Sequence, residues 1–378
     1  MVRHYMQLSL LDNEDEEVAG YLSEQIITYI GNKRSLLPFI GKGVEAVRAR
    51  LGGRKIDSLD LFSGSGVVSR YLKRHSRKLY ANDMEGYSRV ANQCYLTNRS
   101  AVDYPALNEA LRALRRKIEE QPMPGFIAEM YSPKDENNIT TTDRCFYTRK
   151  NAIFLDTAAS HLSVEPEPLR SLLLGPLLSR ASVHANTSGV FKGFYKNKEG
   201  VGQFGGSGKD ALTRITGTID LDAPLLSRFE CESEIHQSDA NVVVHQLKEV
   251  DLAYLDPPYN QHPYGSNYFM LNLLVDYKRP AEVSAVSGIP VDWRRSRYNA
   301  RPEAEAALFE LVRSLKAKFV LISYNSEGFV SYDSFTSTLE KLGKLSVLET
   351  TYNTFRGSRN LRDRPIHLKE YLFLLEKK

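Results

Sequence analysis

The chain has 378 residues, 42% of them hydrophobic, 25% charged, with a formal net charge of +4. That is ample for one large domain and a smaller one, and the mildly basic balance permits nucleic-acid binding without demanding it. Three scattered cysteines with no Cys-x-x-Cys pair argue against a disulfide framework or a zinc site and fit a reducing cytoplasm; no apolar stretch is long enough to span a bilayer, and Met1-Val2-Arg3-His4 lacks the apolar run of a signal peptide.

Residues 1–20 include the acidic run Asp12–Glu17, which reads as a solvated, mobile lead-in. In Ile26–Ile40, Gly31 and Asn32 make a turn and an amphipathic helix starts near Ser35. A lysine there, Lys33, can meet a carboxylate ligand or can simply sit on the surface at a helix start. Ile56–Phe62 reads as a strand, Ser63-Gly64-Ser65-Gly66 as a glycine turn and Val67–Leu72 as a helix. Strand, glycine turn and helix is a nucleotide-binding arrangement, because glycines admit a ligand to the backbone and a helix N-terminus favours polar or negative groups. It falls short of a full Gly-x-Gly-x-x-Gly. A second strand, Lys78–Asn82, ends in Asp83, placed where ribose hydroxyls are bound in such folds; the alternative is a helix N-cap. Nothing resembles a Walker A loop, so a nucleoside ligand fits better than a triphosphate.

From about 100 to 240 helical patterns (Asn108–Ile118, Ala152–Leu162) alternate with polar, irregular stretches. His184–Lys196 mixes amides, hydroxyls, aromatics and lysines, and Lys192 and Lys196 suit phosphates. We read 101–239 as an insertion carrying target recognition; an ordinary loop-rich insertion is the alternative. The chain is expected back in the sheet at Asn241–His245, with Asp239 just ahead of it near the purine of a bound nucleoside.

Val250–Leu255 is a short apolar run, read as a buried strand, and Asp256-Pro257-Pro258-Tyr259 leaves it abruptly. Two prolines stiffen that loop and end the strand. These residue types suit an exocyclic amine on a nucleobase, a poor nucleophile whose lone pair is delocalised into the ring. The carboxylate of Asp256 and the carbonyl of Pro257 can accept both N–H bonds, and Tyr259 can stack on a base swung out of the duplex. A strand-ending turn with an incidental Asp and Tyr is the plain alternative. Asn260–Tyr268 follows as a polar-aromatic run containing Tyr264 and Tyr268, then a helix at Phe269–Leu274. Trp293–Tyr298 interleaves stacking and phosphate-binding side chains, with Arg294, Arg295 and Arg297 as DNA contacts or as a basic solvated turn. Helix Ala304–Ala317, strand Phe319–Asn325 and helix Tyr332–Leu342 come next. Thr351–Arg364 is expected to be a hairpin tip contacting phosphate through arginines such as Arg356 and Arg359, and Lys369–Leu375 a closing strand.

Tyr29-Ile-Gly-Asn-Lys33, Asp60-Leu-Phe-Ser-Gly-Ser-Gly66, a long insertion and Asp256-Pro-Pro-Tyr259 stand in that order. This resembles the Dam-type, alpha-ordered N6-adenine DNA methyltransferases, of the kind found in bacterial restriction–modification systems, over nearly the whole chain beyond the first twenty or so residues. The resemblance implies an α/β fold: a Rossmann-like S-adenosylmethionine-dependent methyltransferase sheet (21–100 and 240–378) with an inserted target-recognition domain (101–239). It implies that Tyr29 and Lys33 hold S-adenosylmethionine, Lys33 near its carboxylate. Phe62, Gly64 and Gly66 would line the cofactor, Asp83 bind its ribose, and Asp256 lie beside both cofactor and amine. Tyr29 stands where the Dam branch has tryptophan, and Asn32 replaces a glycine. The partners implied are double-stranded DNA and a cognate restriction endonuclease, with no metal and no membrane. Methylation of cytosine N4 or of RNA, and a non-catalytic DNA-binding relative, stay open.

Overall fold

The computed structural model describes residues 16–206, 208–209, 211–353 and 367–378. Its strands are β1 (Ile56–Asp60), β2 (Ser76–Asp83), β3 (Glu232–Gln237), β4 (Val250–Leu255), β5 (Ala317–Asn325), β6 (Gly343–Asn353) and β7 (His367–Lys377). They form one sheet in the order β3-β2-β1-β4-β5-β7-β6. The first five run parallel, and β7 is antiparallel to both neighbours. Every residue of β4 is buried, as befits a central strand covered on both faces. Strand order turns back between β1 and β4. Ligands bind at such a switch point, outside the carboxyl ends of the strands; Asp60, Asp83 and Asp256 lie at those ends.

Alternation along the strands builds two cores. On β5, Phe319 and Leu321 join Leu372 and Leu374 of β7 under α1 (Leu37–Arg50) and α2 (Val67–Lys73). The intervening Val320 and Ile322 join Phe373 and Leu375 on the opposite face. A third core unites α3 (Gly86–Tyr95) with α4 (Tyr104–Glu120), α5 (Phe126–Tyr131), α6 (Arg149–Ser163) and α7 (Leu169–Val183). Buried Asp156 of α6 accepts from the amides of Gly125, Ile127 and Ala128, satisfying the N-terminus of α5.

Three expectations need correction. Asn241–His245 is not a strand: Ala240–Val243 is a helical turn, α8 here, with Asp239 capping it through the amide of Asn241 at 2.8 Å. A short apolar run does not by itself distinguish strand from helix, and the capping aspartate was the better signal. The strand on that side is β3, Glu-Ser-Glu-Ile-His-Gln, inside the stretch read as an insertion. It is a sheet edge, so its side chains are polar apart from Ile235 and no apolar run announces it. Glu17, at the end of the acidic run expected to be solvated, accepts from the Ser227 hydroxyl at 2.6 Å and the Arg228 amide at 3.1 Å. The run before Glu16 lies outside the described residues. Beyond α8 come short α9 (Tyr264–Asn267), α10 (Phe269–Asp276), α11 (Arg301–Ser314) and α12 (Tyr332–Leu342).

Candidate active site

The turn after β1 is built by its glycines. Gly64 and Gly66 take φ of 52° and 76°, a region that side chains with a Cβ rarely adopt. The amide of Gly64 donates to Asp83 Oδ2 at 2.8 Å, and that of Glu85 to Oδ1 at 2.9 Å, so β1 and β2 present their ends as one wall. A Cβ on Gly64 would lie 3.1 Å from the ring of Tyr29, which seats directly on the turn. Beneath it Asp60 accepts from Ser69 Oγ at 2.6 Å, while its Oδ1 is buried without a hydrogen-bond partner among the described residues. Burial pushes the Asp60 pKa up to about 7. Burial also raises Asp83, against the pull of its backbone N–H donors.

Asp256 follows β4 at the same end. Lys33 Nζ stands 3.1 Å from Asp256 Oδ1 and 3.1 Å from Glu370 Oε1 on β7. Burial works to strip the lysine of its proton, but the two carboxylates outweigh it and hold the pKa well above the ordinary value. Burial lifts Asp256 to about 6, with Lys33 opposing and Glu370 adding to the rise. Pro257 is buried. The carbonyl of Tyr259 accepts from the Phe329 amide at 3.0 Å, and its ring stands edge-on to Tyr324 and 5.8 Å from Lys33 Nζ. Asn299 Nδ2 donates to the Asn260 carbonyl at 2.7 Å and braces the loop from the far side.

One cleft, about 880 Å³ out to the open solvent, gathers Tyr29, Lys33, Phe62, Gly64, Asp83, Asp239 and Asp256, with Tyr264 and Arg294 at its wall. Gly66 adjoins it as N-cap of α2. Phe62 packs edge-on against buried Tyr298, whose hydroxyl donates to Asn241 Oδ1 at 2.7 Å. Tyr264 stacks on Tyr29 with centroids 5.0 Å apart.

The residues expected at DNA scatter more widely. Tyr268 is fully buried, stacks on Tyr29 at 4.7 Å, and its hydroxyl accepts from the Ile30 amide at 2.7 Å. It is a core residue rather than a DNA contact, because the helix that follows turns that side of the aromatic run inward. Arg294 lies 3.8 Å from Glu85 in the cleft wall. Arg295 covers the ring of Trp293 at 4.4 Å, and Arg297 pairs with Glu310 at 2.8 Å. Lys192 and Lys196 are exposed, Lys196 over the ring of Phe194. Arg356 and Arg359 lie outside the described residues. Asp60, Glu85 and Glu370 were not singled out from the sequence, and Tyr298, read there as a stacking side chain of a basic run, is buried against Phe62. Asp60 ends a strand as Asp83 does and was legible on the same ground; Glu370 has no local signal.

The family model of the D12 class N6 adenine-specific DNA methyltransferases matches residues 29–287, more than half of the chain. The chain belongs to that family. The match begins at Tyr29 and includes the glycine turn and Asp256–Tyr259. Three relatives extend it. The type II methyltransferase M.NlaIII of Neisseria lactamica is 28% identical over 93% of this chain and 99% of its own length. The type II methyltransferase M.CviAII of Paramecium bursaria Chlorella virus 1 is 27% identical over 92% of this chain and 98% of its own. The modification methylase StsI of Streptococcus sanguinis is 25% identical over 93% of this chain but 52% of its own length. This D12 methyltransferase is thus a DNA adenine methyltransferase with a seven-stranded α/β sheet, and its reaction is site-specific methylation of adenine N6. Among the described residues no helix is long and apolar enough to cross a membrane.

Proposed function

We propose that the methyl donor is S-adenosylmethionine, bound in the cleft at the ends of β1 and β2, and that an adenine flipped from double-stranded DNA meets it at Asp256. The observation that carries this reading is the make-up of the cleft. Asp60, Asp83, Glu85, Asp239 and Asp256 face two cations, Lys33 and Arg294. Such a lining suits a ligand with a sulfonium and an ammonium. The unpartnered Oδ1 of Asp60 is an acceptor for that ammonium, and the carboxylate of Asp83 is one for ribose hydroxyls. Lys33 lines the same cleft and has an N–H to spare for the donor's carboxylate. Phe62 and Tyr298 offer apolar faces to a purine, with Asp239 nearby.

When bound, the group supplies an electrophilic methyl on a cationic sulfur. This chain's residues do the rest. Asp256 and the carbonyl of Pro257 accept the two amine N–H bonds and draw the nitrogen towards tetrahedral geometry. Tyr259 stacks on the base. On transfer of that methyl group to the nitrogen, with the thioether as leaving group, the amine proton would pass to Asp256 or water. A carboxylate with a raised pKa is suited to receive it.

The exposed Lys192 and Lys196, with Arg294, Arg295 and the segment holding Arg356 and Arg359, would contact phosphates, and the 101–239 region apart from β3 would read the site. We place the enzyme in the cytoplasm, protecting DNA from an endonuclease of the same specificity. The test is incubation with tritiated S-adenosylmethionine and unmethylated genomic DNA, followed by digestion to nucleosides. Label in N6-methyladenine is the expected result; label confined to N4-methylcytosine or to RNA would overturn it.

A further inference from the structure

Glu370 lies on an apolar face of β7. Its neighbours on that face, Leu368, Leu372 and Leu374, are buried. A carboxylate with no exposed surface interrupts them where the strand passes the Asp256 loop. Burying a charge is costly unless it is paired, and a leucine at this position would continue the core. The carboxylate is held by the Ser323 hydroxyl, which donates to Oε1 at 2.6 Å, and by Lys33 Nζ at 3.1 Å. Its Oε2 has no partner among the described residues. The interaction that singles it out is therefore with Lys33, whose ammonium it shares with Asp256.

Resting on the reading of Asp256 as the group that receives the amine, we propose that Glu370 is a positioning residue: it holds the Lys33 ammonium at one oxygen of Asp256 and so leaves the other oxygen to the amine. An ammonium has three donors and no directional fork. Here it stands 3.1 Å from each of two carboxylates, and it meets Asp256 at Oδ1. Without the charge of Glu370, the attraction left to it is that of Asp256, and it closes on both oxygens. That takes up the acceptor and ties the proton affinity of Asp256 down. The other groups facing Asp256 are Asp60 at the end of β1, Tyr254 on β4 and Tyr264 of α9, while Tyr259 of the same loop faces Lys33.

The test uses the full chain and two readouts. Asp256 is titrated by carboxyl carbon NMR on aspartate-labelled protein, assigned with Asp256→Asn, and kcat and KM are measured against pH on DNA. For Glu370→Gln, which keeps an acceptor for Ser323, we expect the Asp256 midpoint to fall by about half a pH unit or more. We expect kcat to drop about tenfold at neutral pH through lost positioning, with KM for DNA little changed. Glu370→Asp should recover part of both. An Asp256 midpoint unmoved in folded Glu370→Gln overturns the proposal. Where that variant does not fold, Ser323→Ala loosens Glu370 more gently; a midpoint shifted in the same direction supports the proposal, and an unmoved one overturns it. A wild-type chain that transfers no methyl group to DNA withdraws the catalytic reading of Asp256 instead, while the titration still reports whether Glu370 sets the proton affinity of Asp256.

Discussion

The hydroxyl of Tyr268 accepts from the amide of Ile30 at 2.7 Å, and the two rings of Tyr268 and Tyr29 stack at 4.7 Å. This pair fastens the segment carrying Lys33 to the start of α10. The same segment is tied to α7, where Ser182 Oγ accepts from the Thr28 amide at 2.7 Å. The wall of the cleft that carries Lys33 is thus built partly on helices from the 101–239 region. Tyr268→Phe leaves the Ile30 amide without its partner and should cost about 1–3 kcal/mol of stability. DNA affinity should stay near wild type, since Tyr268 has no exposed surface. Chemical unfolding and a DNA-binding isotherm check both; a selective loss of DNA affinity would return Tyr268 to the interface.

Gly64 combines φ of 52° with a Tyr29 ring that a Cβ would meet at 3.1 Å. Gly64→Ala should cost about 1 kcal/mol or more of stability from the backbone conformation alone. It should weaken S-adenosylmethionine binding at least about tenfold, because the strain falls on the turn proposed to receive the donor. Calorimetric titration of the donor into the variant decides this.

Asp60 illustrates how burial writes itself into pH dependence. Its folded pKa, about 7, is above the ordinary 3.8, so the folded chain holds a proton that the unfolded chain has lost throughout the interval between them. Stability from this group is fully present below about 4 and is lost as pH rises towards 7, at up to about 1.4 kcal/mol per pH unit. Asp60→Asn should flatten the decline between pH 5 and 7 by a measurable part of that. Urea unfolding at the two pH values gives the difference, and parallel slopes for both proteins would refute it.

Asp256→Ala should abolish methyl transfer, with a loss of at least about a hundredfold in kcat, as expected for a group that handles the proton. Donor binding should be partly kept, since Asp60 and Asp83 remain. In the wild type, activity should rise with pH through about 6 as Asp256 ionises. A pH profile flat from 5 to 7, or full activity in the variant, would remove Asp256 from the mechanism.

Lys192 and Lys196 are exposed on the segment after α7. Replacing both by alanine should lower the slope of log affinity against log salt by about 0.9 for each phosphate that is no longer neutralised. The change should be similar on specific and random DNA, because lysines at phosphates position the protein without reading sequence. An unchanged slope would place the phosphate track elsewhere.

Much of the cleft was legible in the sequence because its parts are local. A buried apolar strand stopped by Asp256-Pro-Pro-Tyr259, a glycine turn after β1 and an acidic end to β2 each rest on neighbours a few residues apart, where strand length, proline and glycine act directly. Their order along the chain was enough to name the family. Residues whose role depends on a distant partner stayed hidden. Tyr264 and Tyr268 are four positions apart in one aromatic run, yet one lines the cleft and the other is sealed in the core, which only the packing of α10 against α3 and α7 decides. Polar β3 had to pair with β2 before it could be seen as a strand. Glu370 stands in a leucine-rich strand near the end of the described chain, and nothing beside it in sequence marks it. It becomes a partner of Lys33 only because β7 inserts antiparallel next to β5 and brings its carboxylate behind Asp256. Local backbone preferences are written residue by residue, whereas the pairing of buried charges is settled by which strands lie side by side.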